Sequence, residues 1–140
     1  VLEGYRFVRE QRVAFRDFDY FRHVNNAAYV TWAETIRIEY MDEVLSVPPN
    51  ARIGIIMAAQ RFDYLAQVGY GERVMVGCRT GRIGTKSFDL EYEIFNITTG
   101  VLALRAFSTV VAFDYDLNAS IVIPEAWRAT IAAFEKGAQA

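Results

Sequence analysis

A chain with one cysteine cannot close an intrachain disulfide, and Cys78 is that one cysteine. The fold must therefore hold without an intrachain disulfide, and a reducing, cytoplasmic setting is expected. A single histidine, His23, excludes a zinc site built on several imidazoles within one subunit, so no metal is expected. The 15 Lys and Arg stand against 17 Asp and Glu, for a net charge of −2, and they are scattered without a basic block. That distribution argues against a nucleic-acid partner. No apolar run approaches the roughly 18 residues of a membrane span. The opening VLEGYRFVRE has no basic region followed by an apolar stretch, so no signal peptide is read there. Also missing are a serine in a G-x-S-x-G turn, a cysteine beside a histidine, a glycine-rich phosphate loop and a metal-ligand cluster.

What is present is apolar. Hydrophobic residues make up 53% and aromatics 14% of 140 residues, enough for one domain spanning residues 1–140 with a substantial core. The apolar excess suggests that part of it is buried against a second copy, so a homo-oligomer is expected. Tyr5 to Arg16 alternates loosely as a strand. From Asn26 the period lengthens: Tyr29, Trp32, Ala33, Ile36, Tyr40 and Val44 recur at helical spacing, with Glu34, Arg37, Glu39 and Asp42 facing elsewhere. Asn25 or Asn26 can cap this helix, and Ser46–Pro49 ends it. Strands follow over 51–64, 69–83, 86–97 and 101–113, the last apolar on both faces and so interior to a sheet, with turns at Gly84-Thr85 and Thr98–Gly100. A short helix opens after Pro124. The order implies an α+β fold, an antiparallel sheet wrapped on one long helix.

The stretch DFDYFRHVNN, Asp17 to Asn26, interrupts this pattern with acids, the lone histidine and two asparagines. Such residues between a strand and a helix are ordinary turn and cap residues. Their position, however, is immediately before the N-terminus of the longest helix. There, free amides and the macrodipole can stabilise a developing oxyanion, and a carboxylate can act on a carbonyl as nucleophile or base.

RVAFRDFDYFRHVNNAAYVTWAETIR closely resembles the first strand and central helix of hotdog-fold acyl-CoA thioesterases of the 4-hydroxybenzoyl-CoA thioesterase type. Their pattern is D-x-D-x-x-G-H-V-N-N-x-x-Y with an acidic residue and an Ala-Arg-like pair on the helix. Asp17, Asp19, His23, Val24, Asn25, Asn26 and Tyr29 match it, followed by Glu34 and Arg37. FDYLAQVGYGERVMV and RIGTKSFDLEYEIFN are similar to the family's later strands, so the likeness runs from Arg12 to Phe113. The resemblance implies a sheet of five or six strands around the helix, a dimer or tetramer with sites between subunits, and hydrolysis of an acyl-CoA thioester. It implies no cofactor apart from the CoA of the substrate. Asp19 would be the catalytic carboxylate, as nucleophile or general base, and helix amides just after His23 the oxyanion hole. A hotdog protein that binds acyl-CoA without turnover, and an acyl-ACP thioesterase, are the alternatives. Hotdog dehydratases resemble D-x-N-x-x-H, a spacing Asp19 and His23 do not keep.

One position departs from the pattern. Arg22 stands where the family usually carries glycine, which permits positive φ and close approach to substrate. Arginine there distorts the oxyanion hole, supplies a new cation near the acyl group, or marks a turn that simply differs. Plant-type acyl-ACP thioesterases also lack glycine before H-V-N-N, but have asparagine where this chain has Phe21. His23 is the second catalytic candidate, ranked below Asp19 as general base and able to hydrogen-bond the carboxylate or bind the acyl group, and reads equally as a structural residue that shapes the turn. Asn25 and Asn26 read first as cap residues, and Asp17 as an acceptor for loop amides. Glu34 and Arg37 read as a local ion pair, with Glu34 reaching the acyl pocket as the sharper reading. Tyr29 is core first and pocket lining second. Arg82 and Lys86 bracket a turn similar to the family's nucleotide-contacting region and could meet CoA phosphates. Met57 and Cys78 read as core.

Overall fold

The computed structural model describes residues 2–136. The chain runs β1 (Phe7–Gln11), a 3-10 turn (Phe15–Asp17), α1 (Asn26–Glu43), β2 (Ile53–Tyr64), β3 (Val74–Ile83), β4 (Ser87–Asn96), β5 (Val101–Asp114), β6 (Ala119–Ser120) and α2 (Glu125–Lys136). All pairings are antiparallel, in the order β1-β3-β4-β5-β2, and the two-residue β6 pairs with the end of β5. This is the α+β architecture expected, six strands with a long helix and a short one. No helix among the described residues is long and apolar enough to cross a membrane.

The helical period of α1 decides what it buries. Tyr29, Trp32, Ala33, Ile36 and Tyr40 all face the core, against the inward side of β3 (Val74, Val76, Cys78) and of β4 (Phe88, Leu90, Tyr92, Ile94). Alternation in β4 is complete, and its outward acids meet cross-strand arginines: Arg79–Glu91 at 2.8 Å, Arg105–Glu93 at 2.9 Å and Arg82–Asp89 at 3.2 Å. On β3 the outer face is closed at Gly77, where a Cβ would come within 2.8 Å of the Tyr5 ring and 2.9 Å of Leu2. Cys78 is fully enclosed, and burial pushes its thiol well above the usual range, so it packs rather than reacts.

Three expectations need correcting. The first strand stops at Gln11, because the Asp17 carboxylate takes the Ala14 amide at 2.6 Å and the Asp17 amide returns to the Ala14 carbonyl at 2.9 Å, closing a 3-10 turn. Met57 is not core: β2 is an edge strand, and Ile56 through Arg61 are exposed on both faces. Arg37 does not face solvent but is 9% exposed, because the buried stripe of α1 is wide enough to include it.

Glu135 on α2 is also buried. Its Oε2 accepts the Thr80 amide at 2.8 Å, while Oε1 is enclosed without a partner among the described residues. Desolvation raises its carboxyl above the ordinary glutamate value, against the opposing pull of the Thr80 amide. A raised folded value means that the native state holds this proton more tightly than the unfolded chain. The associated stability is full below the unfolded value and is lost as pH rises through the folded one. Glu135→Gln should therefore match the parent near pH 4 and exceed it at pH 8 in urea midpoint. The same difference at both pH values would exclude ionisation of Glu135 as the cause.

Candidate active site

The turn before α1 is a three-residue hairpin loop. The Asp19 amide donates to the His23 carbonyl at 2.9 Å and the Arg22 amide to the Asp19 carbonyl at 3.2 Å, and Phe18 bridges Val24. A loop of this form, a turn followed by one left-handed residue, places its last residue at positive φ, and Arg22 has φ +67°. The arginine therefore keeps the backbone conformation that glycine would adopt, and the turn is not distorted. The left-handed region costs a non-glycine residue about 1–2 kcal/mol. Arg22→Gly should raise stability by about 0.5–1 kcal/mol once the greater entropy of glycine in the unfolded chain is subtracted. A denaturant midpoint equal to or below the parent's would mean that the arginine side chain stabilises the loop more than the strain costs.

Asp19 lies on this loop with an exposed side chain. Its Oδ1 accepts the Phe21 amide at 2.8 Å and the His23 amide at 3.4 Å, whereas Oδ2 takes no hydrogen bond from the described residues. The imidazole of His23 is half-buried and also makes none. Asn25 is the helix cap, its Oδ1 accepting the Ala28 amide at 3.1 Å. The two amides directly after His23 are already engaged, Val24 with the Val68 carbonyl at 3.0 Å and Asn25 with the Asp17 carbonyl at 2.8 Å. The free donors of the first turn begin one step later, at Asn26 and Ala27.

Asp19, His23, Val24, Asn26 and Tyr29 line one pocket of about 400 Å³, whose far wall is the segment from Tyr64 to Gln67. That wall was not foreseen, being some 40 residues away along the chain. It is held by the Val24–Val68 bond and by the Tyr64 hydroxyl, which donates to the Asn26 carbonyl at 3.4 Å. Tyr29 is buried edge-on between Trp32, at 5.3 Å, and Tyr64, at 5.6 Å. Desolvation raises its phenol above the usual value, so it remains a neutral donor. Around the mouth, Tyr20, Phe21, Tyr64 and Leu65 expose large apolar surfaces.

Other residues singled out in the sequence lie elsewhere. Glu34 and Arg37 face a separate groove farther along α1. Arg82 sits at the end of β3 remote from Val68, with its guanidinium on Asp89 and Ser87. Lys86 lies in the turn that follows, exposed and in no ion pair with the described residues. From Val74 to Ile83 a strand rises roughly 30 Å, so within one chain Arg82 and Lys86 are at the opposite end of the sheet from Asp19. Among the described residues no group of three or more His, Cys, Asp or Glu is placed to hold a metal ion.

The chain is similar to several known proteins. The uncharacterized protein YsmA of Bacillus subtilis (strain 168) is 30% identical over 89 residues, 64% of this chain; the match spans 60% of that protein's length. A thioesterase from Thermus thermophilus, solved in complex with coenzyme A and Zn, superposes with a TM-score of 0.84 at 29% identity, covering 96% of this chain and 98% of that one. A thioesterase-superfamily structure from Jannaschia sp. CCS1 gives a TM-score of 0.86 at 25% identity, covering 94% and 84%. Residues 13–131 match the thioesterase-like superfamily, and with the strand order, the helix and its capped turn already on view, the chain belongs to that family.

Proposed function

We propose that the chain hydrolyses an acyl-CoA thioester to a carboxylic acid and the CoA thiol, with Asp19 as the reacting carboxylate. The observation that carries this reading is one pocket shared by the unpartnered Oδ2 of Asp19 and by Asn26, whose amide is free at the positive end of α1. The thioester oxygen would take the Asn26 amide as negative charge develops on it. Asp19 would either attack the carbonyl carbon, expelling the thiolate and leaving an anhydride that water opens, or take a proton from the attacking water. Each route consumes one water and returns the carboxylate unchanged. His23, Val24 and Tyr29 would bound the acyl group near the thioester. CoA is favoured over an acyl carrier protein as the carrier because the Thermus relative was solved with coenzyme A.

A homodimer belongs to the same proposal. β2 is a long open edge, apolar at Ile56 through Ala59 and bulged between Met57 and Ala59. Such an edge is a template for another strand. A second copy pairing there would cover it, and the phosphates of a shared CoA could then reach an Arg82 and Lys86 that Asp19 of the same chain cannot share. The lone enclosed thiol of Cys78 fits a reducing, cytoplasmic setting.

The test is thiol release from short, long and aromatic acyl-CoAs, with binding of a non-hydrolysable CoA thioether followed in parallel. Turnover of at least one ester is expected. Tight thioether binding with no turnover on any ester would replace the hydrolase by an acyl-CoA-binding protein. Neither binding nor turnover would remove CoA esters from the account, and turnover of acyl carrier protein esters alone would move the carrier.

A further inference from the structure

The structure assigns a second ligand site to the groove between the middle of α1 and the start of β2: we propose that it binds an organic carboxylate with a short apolar body, held by Arg37. The groove has a volume of about 290 Å³. At about 30 Å³ per water-sized unit it has room for roughly ten heavy atoms. Its walls are Ile38 and Met41 on α1, Pro48 and Pro49 in the loop, and Ile55 and Met57 on β2. Arg37 is the one cation in this lining, and Glu34 the one acid.

Arg37 is 9% exposed, yet it is poorly satisfied. A guanidinium has five N–H donors. Among the described residues the one hydrogen bond made by this side chain is from Nη1 to the Tyr92 hydroxyl, at 3.2 Å. Its nearest carboxylate, Glu34, lies 3.8 Å from Nη2, beyond hydrogen-bond range, on a side chain 62% exposed. A pair so loose and so wet contributes little. A buried cation with one neutral partner is costly unless an anion completes it. The other guanidinium nitrogens make no hydrogen bond with the described residues and are not fully enclosed, and Arg37 is part of the groove's lining.

A carboxylate matches that geometry, because two parallel N–H···O bonds suit its planar head while an apolar tail meets Met41 and Ile55. Phosphate esters fit less well, since a dianion would face Glu34 at the rim with no second cation in the lining. Within one chain the site is separate from the Asp19 pocket: Arg37 is eleven residues beyond Asn26, roughly 16 Å along the helix. The carboxylate could belong to a free acid or to the far end of an acyl group presented by a second copy. The chemistry is common to both, and the proposal does not depend on thioester hydrolysis.

The experiment titrates the full chain with hexanoate and, as the uncharged counterpart, hexan-1-ol, following backbone amide shifts by NMR. Hexanoate should move the amides of Ala51, Gly54 and Ile55 and bind at least tenfold more tightly than the alcohol. Arg37→Met should lose at least tenfold in hexanoate affinity. Because that buried variant can fail to fold, Ala51→Phe fills the groove without touching the cation and should lose binding as well. Glu34→Gln, which removes the competing carboxylate, should tighten it two- to fivefold. Equal affinity for acid and alcohol, shifts confined to the Asp19 pocket, or an unchanged dissociation constant in a folded Ala51→Phe protein would each overturn the site. A comparison of carboxyl-ended and methyl-ended acyl-CoA esters of equal length separates the sources. A tenfold preference in kcat/KM for the former, abolished by Ala51→Phe, identifies an acyl terminus; hexanoate binding without that preference identifies a free acid.

Discussion

Asp19→Asn is expected to lower kcat on the best acyl-CoA ester by about 10²–10⁴-fold, the range associated with removing a positioned acid or base. The substitution separates chemistry from architecture. Asparagine keeps an Oδ1 that can accept the Phe21 amide, which now lies 2.8 Å from the carboxylate, so the loop that bridges Phe18 to Val24 should close as before. The amide cannot, however, take a proton from water or attack a carbonyl. KM should stay within a few-fold, the pattern of an interaction made only in the transition state, and the urea midpoint should not move. If kcat survives, Asp19 is a loop-organising residue whose role is its bond to Phe21. If kcat and the urea midpoint fall together, the residue holds the turn and its chemistry is unproven. Rate loss at constant stability is the outcome the proposed function requires.

The long helix was legible because one side of it must be apolar at a spacing of three to four residues, and β4 because its two faces differ so sharply. The capped turn was legible for a related reason: Asn25 sits where the first free amides need an acceptor. Other features were decided by contacts that a linear reading does not contain. Ala14 to Asp17 carry no helical pattern, and the 3-10 turn exists because one carboxylate captured one amide. Ile56 and Met57 have core composition but lie on an edge, and composition does not say which strand of a sheet is outermost. The Tyr64–Gln67 wall joined the candidate site through the Val24–Val68 bond, a pairing with no local signal. Arg37 is the most instructive case. Next to Ile36 on a helix with a broad buried stripe, its charge suggested solvent, while its position demanded burial.

The largest stability effect should come from Tyr40, whose aromatic ring joins four elements at one point. It is fully buried on α1, edge-on to Phe7 of β1 at 5.5 Å and to Phe134 of α2 at 6.0 Å, with its hydroxyl 2.8 Å from Thr80 Oγ1 on β3. Burial holds its phenol well above the ordinary tyrosine value, so the hydroxyl remains a neutral partner for Thr80 at all physiological pH. Truncation to alanine removes the apolar ring and leaves a cavity, about 3–5 kcal/mol by comparison with other large aromatic deletions. Losing the two edge-to-face contacts adds to this. Against a total stability of about 5–15 kcal/mol, Tyr40→Ala should bring the chain close to unfolding at room temperature. Tyr40→Phe keeps the packing and deletes only the hydrogen bond, so its cost should be about 1–2 kcal/mol. Urea titration of both variants checks the division: equal losses would mean that the hydroxyl, not the ring, holds α2 and β1 to the helix. Tyr40 is fourteen residues beyond Asn26, roughly 21 Å along α1. Tyr40→Phe should therefore lower stability while leaving kcat in place, the reverse of Asp19→Asn, because the turn proposed to carry the chemistry is held by its own hydrogen bonds and not by the aromatic core at the other end of the helix.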